Sequence, residues 1–385
     1  MQKQMLRKLP ALLTVLFTLV SCESLLIPTE SDSPPLPTSH ESKLATVLDS
    51  LRYALDLPAL AGAIVTDYEI VEAQAVGCRK YGGKANVTAQ DQFHLGSNTK
   101  AITGALIGKL VDEDLLNWKT TLPEIFPEYA NSMNSAYTNV TILELLSHSS
   151  GMQRDPALFL DAPTPRELRA EMVRRALQQP PAATRGTYLY SNLGYNLLGA
   201  IAEKLTNRTY EDLLIEKILQ PLGITSAGFG PMGTPGALDQ PLQHTNGRAP
   251  IEPLASNDLP SDYNPSGRLH MSIGDWAKFI RWVLAAEAGH QTLLKAETAA
   301  VLTSSIVPDG NQGFYACGWG IYESDWAGGK TIAHNGSNGY NYSVAALAPL
   351  KHFAVIAATN MGPGDLVNPI DPVAWRLIQL YTNKK

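Results

Sequence analysis

Cysteine is scarce in this chain: three residues in 385. None stands in a CxxC or Cys/His spacing, so no zinc site is read and no cofactor is expected. Positive charge is short as well. Thirty Lys and Arg against 36 Asp and Glu leave a net charge of −6, which makes nucleic acid an unfavourable partner. No internal repeat is apparent. The most marked apolar run, Ala11 to Val20, is too short for a comfortable membrane span. What remains is ordinary globular material, 44% hydrophobic and 17% charged, with length for one large domain or two interleaved ones.

The N-terminus reads as an address rather than as fold. Lys3, Arg7 and Lys8 precede the apolar run, which ends at Leu19-Val20-Ser21-Cys22. A basic start, a short apolar stretch and a small residue describe an export signal over residues 1–22. Leu-Val-Ser-Cys is similar to a bacterial lipobox, in which Cys22 receives lipid and becomes the mature N-terminus. Glu23 rather than Asp follows, the sorting pattern of an outer-membrane lipoprotein facing the periplasm; without lipid on Cys22 the chain would be secreted. Residues 23–40, rich in Pro and Ser, read as an extended tether. Cys78 and Cys317 lie in strand-like flanks and read as buried free thiols, with a disulfide between them the alternative in an oxidising compartment.

Leu44, Val47, Leu48, Leu51 and Leu55 recur at helical spacing, predicting a first helix over 42–55 that Pro58 ends. Short strands are expected at 61–65 and 70–76. The middle of the chain reads as mostly helical. A capping-box pattern, Thr141-Ile142-Leu143-Glu144, opens a helix expected to end near Gly151. Helices follow at 193–205, 209–219 and 272–286, with an irregular excursion over 228–265. Strands return at 318–323, 330–335, 342–347 and 353–359, and a helix at 373–381 closes the chain. Strands at both ends with helices between them predict an α+β fold. One antiparallel sheet is built from both ends of the chain and flanked by helices, with a mostly helical subdomain inserted. The folded domain is expected over 41–382, its α/β part at about 41–95 and 266–382 and its helical part at about 96–265.

Three polar segments carry candidate chemistry. Ser97-x-x-Lys100 at a helix start puts a hydroxyl and an amine on one face, a way to activate a nucleophile. Tyr190-Ser191-Asn192 lies in a loop before a helix. A tyrosine can carry protons if a nearby cation, here Lys100, lowers its pKa, and Asn192 can grip a substrate amide. His334-Asn335-Gly336-Ser337 ends a strand, where a glycine at an exposed edge lets a substrate backbone approach. The N–H groups of Ser97 and Ser337 could then face an oxyanion. Taken singly, each segment has an ordinary reading: Ser97 as a helix cap, Tyr190 as core, His334 as a strand residue. It is their combination and order that point to a site.

These motifs resemble those of the serine β-lactamase and penicillin-binding-protein superfamily, in the branch of class C β-lactamases, D-Ala-D-Ala carboxypeptidases and related esterases. Ser97-x-x-Lys100 matches the first motif and Tyr190-x-Asn192 the second. His334-Asn335-Gly336 stands where class C enzymes carry Lys-Thr-Gly and many relatives His-x-Gly. Leu145 to Gly151, and Gly267-Arg268-Leu269 with Ser272 and Asp275, fit further segments of the branch. The resemblance spans about residues 42–382. It implies a β-lactamase/transpeptidase-like fold, an acylated nucleophile at Ser97, shared general acid–base work for Lys100 and Tyr190, and amide binding by Asn192. It makes the segment around His148 a structural wall rather than a base. Substrate binding falls to the strand with His334, Asn335 and Gly336, and the oxyanion hole to the Ser97 and Ser337 backbone. Loss of the motif's lysine and hydroxyl removes the groups that would meet a substrate carboxylate, which lowers the expectation of efficient β-lactam hydrolysis. An esterase or D-peptidase acting on a small molecule or peptide is at least as well matched. The contrasting readings are a non-catalytic envelope protein that binds peptidoglycan fragments and a structural lipoprotein.

Overall fold

A computed structural model describes residues 42–156, 164–363 and 371–383. The signal, the tether and Cys22 lie outside the described residues. In chain order the elements are α1 (Lys43–Ala54), β1 (Ala59–Thr66), β2 (Ile70–Gly77), β3 (Gln92–His94), α2 (Thr99–Asp112), α3 (Leu122–Ile125), α4 (Ile142–Leu146), α5 (Pro165–Ala176), α6 (Asn192–Thr206) and α7 (Tyr210–Leu214). After them come β4 (Gly228–Phe229), β5 (Gln243–His244), β6 (Pro250–Ile251), α8 (Asn264–Gly267), β7 (Leu269–Ser272), α9 (Ile273–Glu287) and α10 (Ala296–Leu302). The last are β8 (Val307–Pro308), β9 (Phe314–Tyr315), β10 (Gly320–Ser324), β11 (Gly329–Ser337), β12 (Tyr342–Ala348), β13 (Phe353–Thr359) and α11 (Asp371–Thr382).

Eight strands form one antiparallel sheet in the order β2-β1-β13-β12-β11-β10-β9-β8. The α+β reading holds, with both ends of the chain in one sheet. Side chains alternate across a strand, and the central strands bury both faces. Ala61, Ala63 and Val65 of β1 join Ile356 and Ala358 of β13 in the larger core, together with α2, α6 and α9. Leu60 and Ile64 join Val355 and Ala357 in a second core beneath α1 and α11. That is why these strands read as nearly unbroken apolar runs.

The same alternation orients β11. Ile332 belongs to the larger core, so His334 and Gly336 face that side, where the inserted helices lie. Asn335 faces the other side. β10 pairs with β11 only from Gly329 to Ala333. From His334 to Ser337 the β12 side alone is paired within this sheet, which leaves an open edge beside α2. Two helical expectations need adjustment. α4 stops at Leu146, because His148 takes a left-handed backbone at φ 60°. The helix expected over 209–219 is α7 followed by a π-turn at Ile215–Leu219.

Candidate active site

Ser97 sits in a short 3₁₀ turn, Gly96–Asn98, that leads into α2. Two glycines press this turn against β11. A Cβ on Gly336 would lie 2.1 Å from the Leu95 carbonyl oxygen and 2.6 Å from the Ser97 nitrogen. A Cβ on Gly96, whose φ is +50°, would lie 2.2 Å from the Ser337 nitrogen. Both are closer than real Cβ contacts allow, so only backbone fits there. Ser343 Oγ pins the turn further: it donates to the Leu95 carbonyl at 2.7 Å and accepts from Asn98 Nδ2 at 2.8 Å. The backbone nitrogens of Ser97 and Ser337 therefore flank one junction, and the first N–H groups of a helical turn have no partner inside it.

One turn along α2, Lys100 is fully buried. Its Nζ lies 2.7 Å from Asn192 Oδ1, 2.7 Å from the Ser266 carbonyl oxygen and 3.1 Å from Ser97 Oγ. Thr103, on the same face, donates to the neighbouring Pro265 carbonyl at 2.7 Å, so α2 grips α8 at two points. Two of the three oxygens around Nζ are carbonyls, which only accept. A neutral amine has two N–H bonds and one lone pair. Its hydrogens satisfy Asn192 and Ser266, and its lone pair then faces the one partner that can donate, the Ser97 hydroxyl. Burial away from any contacting carboxylate disfavours the ammonium, and the Lys100 pKa falls well below the ordinary lysine value. Asp155, one residue removed, opposes that shift: Asn192 Nδ2 donates to Asp155 Oδ1 at 2.8 Å.

Tyr190 and Asn192 arrive together at the start of α6. Ser191 caps that helix by accepting from the Gly194 N–H at 2.9 Å, and its hydroxyl donates to the Gln153 carbonyl at 2.7 Å. The Tyr190 ring lies 4.7 Å from Lys100 Nζ, and its hydroxyl is shielded from solvent. Burial pushes the phenol above its ordinary pKa, while a hydrogen bond with Ser97 pulls the other way. The expectation that Lys100 lowers the Tyr190 pKa is therefore corrected. A lysine held neutral exerts no such pull, and a protonated phenol is a proton donor. His148 packs 4.3 Å from the Tyr190 ring centroid, and its Nδ1 accepts from the Ser191 N–H at 3.1 Å. That lone pair is in use and is not free to take a proton.

A family model for beta-lactamase matches residues 44–379. The chain belongs to the beta-lactamase family. Members of the family are for the most part serine hydrolases. Among its relatives, this beta-lactamase-family chain is 28% identical over 335 residues to penicillin-binding protein 4 of Amycolatopsis lactamdurans, covering 82% of this chain and 84% of that protein. It is 23% identical over 328 residues to protein flp of Staphylococcus aureus strain COL, covering 85% of this chain but only 64% of flp. The fold resembles an octameric penicillin-binding protein homologue from Pyrococcus abyssi, with a TM-score of 0.71 at 23% identity, covering 89% of this chain and 77% of the other. It also resembles the D-alanine carboxypeptidase AmpC of Burkholderia cenocepacia, with a TM-score of 0.68 at 17% identity, covering 86% and 96%.

Ser97, Lys100, Tyr190, Asn192, His334, Gly336 and Ser337 thus converge, and Asn335 departs. Its Nδ2 donates to Tyr342 Oη at 2.9 Å on the far face of the sheet, because alternation along β11 turns it away from Ser97. The expectation that its amide meets a substrate carboxylate is not met. His334 also differs from expectation. Its Nδ1 donates to the Asn335 carbonyl, and its Nε2 accepts from Tyr315 Oη at 3.0 Å, so both nitrogens are occupied. Burial is the largest cause that pushes its pKa down, to about 3, and it stays neutral. Gly336 serves the contact with the Ser97 turn as well as the strand edge.

Sequence reading missed Asp155, Tyr195 and Tyr315. Tyr195 donates to the Leu146 carbonyl at 2.7 Å and stands on α6 beneath Lys100, with its ring 5.6 Å from Nζ. Tyr315 has its ring centroid 4.5 Å from His148. Tyr195 was readable as one helical turn beyond Asn192; Tyr315 and Asp155 carry no local signal. Cys78 and Cys317 are both free, Cys317 buried and Cys78 half-buried.

Proposed function

We propose that this chain is a serine hydrolase that works through an acyl-enzyme on Ser97, with ester, amide or lactam carbonyls as substrates. The observation that carries the reading is the Lys100 amine, dry and held by two carbonyl acceptors, with its remaining valence on Ser97 Oγ. Lys100 takes the Ser97 proton as Oγ attacks the carbonyl carbon. Charge that develops on the carbonyl oxygen is met by the Ser97 and Ser337 N–H groups; one such donor is worth about 100- to 1000-fold in rate. Tyr190 passes a proton to the leaving group as the tetrahedral adduct collapses, and is reprotonated from Lys100. Water then attacks the acyl-enzyme, and its proton returns by the same groups to leave acid product and free Ser97.

The surroundings narrow the substrate. His334 is neutral with both nitrogens engaged, and Asn335 faces elsewhere. No fixed cation from β11 is offered to a substrate carboxylate. Asp155 stands at the mouth, on Asn192 and within 3.3 Å of Tyr263 Oη. These features favour neutral or amine-bearing esters and peptides over penicillins, whose carboxylate needs a partner. Asn192 grips a substrate amide once its Nδ2 exchanges Asp155 for the substrate carbonyl. In the same proposal, residues 41–382 are the hydrolase domain, Cys22 carries lipid, and 23–40 tether the domain to the envelope; Cys22→Ala should release the protein from membranes.

The test uses the chain from residue 41 onward beside Ser97→Ala, assayed with a p-nitrophenyl ester, a D-Ala-D-Ala peptide and a chromogenic cephalosporin. Ester or peptide turnover lost in Ser97→Ala is expected. No turnover together with no covalent label from penicillin or a fluorophosphonate would favour a binding protein.

A further inference from the structure

We infer that Asp258 is a positioning residue that sets both oxyanion donors from behind, one through His94 and the other through Asn338. The inference rests on the acyl-enzyme reading above. Asp258 comes from the irregular excursion of the middle of the chain, and its side chain is fully buried. Its Oδ2 lies 3.2 Å from His94 Nε2. Across the imidazole, His94 Nδ1 accepts from the Gly96 N–H at 3.1 Å. That bond fixes the tautomer: Nδ1 must be bare, so Nε2 carries the hydrogen and needs an acceptor, which Asp258 supplies. The Gly96 N–H is one peptide from that of Ser97.

The other oxygen reaches the opposite wall. Asp258 Oδ1 accepts from Asn338 Nδ2 at 3.0 Å and from the Leu259 N–H at 2.8 Å. Asn338 follows Ser337 directly. Its Oδ1 accepts from the Tyr340 and Asn341 N–H groups, and its Nδ2 also donates to Gln243 Oε1 at 2.6 Å. The turn that aims Ser337 is thereby tied to a rigid amide cluster. One carboxylate thus reaches Gly96, next to Ser97, through two hydrogen bonds and Asn338, next to Ser337, through one, and its own side-chain hydrogen bonds involve none of Ser97 Oγ, Lys100 or Tyr190. All its hydrogen-bond partners donate, and Arg268 Nε stands 3.6 Å away as a charge partner. An asparagine of the same shape offers a single acceptor oxygen and must turn an N–H against one arm. A small displacement of an oxyanion donor is costly, since about 1 Å of misplacement can lose about 100-fold.

The experiment compares wild type with Asp258→Asn, at equal folded fraction, in ester hydrolysis and in inhibition by an arylboronic acid, whose tetrahedral adduct presents an oxygen where the oxyanion forms. The expected result is a kcat about 10- to 100-fold lower with KM little changed, and boronate inhibition weaker by a similar factor. His94→Phe and Asn338→Ala each cut one arm, and stand in if Asp258→Asn does not fold. Each should lower kcat and weaken boronate inhibition together. Folded variants with unchanged kcat and boronate inhibition, beside an active wild type, would overturn the positioning role alone. A wild type without turnover or Ser97 label would overturn the acyl-enzyme reading and this inference with it.

Discussion

Two basic side chains of this protein are equally buried and differently furnished. Arg169, in α5, has no exposed side-chain surface and is met by two carboxylates: Glu203 at 2.6 Å and Glu211 at 2.9 Å. Those partners raise its pKa against the pull of burial. Lys100 is as deeply buried and has carbonyl and hydroxyl oxygens in place of carboxylates. Burial with partners makes a permanent charge that holds α5 to α6. Burial without them holds the amine's pKa well below its ordinary value. Buried position alone therefore says little about role; the charge of the contacting atoms decides it.

The sharpest break in this comparison comes from exchanging each of the two for methionine. Lys100→Met should abolish ester turnover, as Ser97→Ala should, by about 1000-fold or more. Its stability should stay within about 1 kcal/mol, since relief of a buried amine offsets two orphaned acceptors. Arg169→Met should do the reverse. Stability should fall by about 3–5 kcal/mol, because two carboxylates lose the charge that neutralises them, while kcat per folded molecule persists. Denaturant titration and active-site titration of the same samples read both.

A smaller effect tests the missing cation of β11. His334→Lys should raise the cephalosporin-to-ester ratio of kcat/KM by about 10-fold, through a charge-assisted bond to the substrate carboxylate. An unchanged ratio would mean that carboxylate recognition lies elsewhere. Smallest is the pH response. Protonation removes the Lys100 lone pair, so activity is present above its depressed pKa and lost as pH falls through it. Asp155 raises that pKa, so Asp155→Asn should move the acid limb of kcat/KM to lower pH. His334, with a pKa of about 3, should contribute nothing to a limb between about pH 5 and 8.

Apolar spacing made most of the fold legible, because the helices that cover the sheet carry one buried stripe each and the central strands run apolar without interruption. Gly151 is the first stop signal after Leu146, and nothing in Ser147-His148 announces a left-handed backbone, which is why α4 was expected to be longer. Two of the three motifs singled out Ser97, Lys100, Tyr190 and Asn192 through their spacing, and the structure brings these residues together. Asn335 was misassigned because motif position was followed without the two-residue alternation that fixes which side of β11 meets Ser97. Asp258 and His94 are 164 residues apart, and Tyr315 and Asp155 lie 19 and 37 residues from His334 and Asn192, outside any local motif. Such contacts are made by folding, and local pattern carries no trace of them.

The central claim is that Lys100 is uncharged in the folded protein at neutral pH. ¹⁵N NMR of protein labelled at lysine Nζ, with Lys100→Met to assign the signal, measures this directly. The account predicts a neutral-amine shift for Lys100 at pH 7, with protonation appearing only well below the ordinary lysine value of about 10.4. An ammonium signal that persists up to about pH 10 would contradict it.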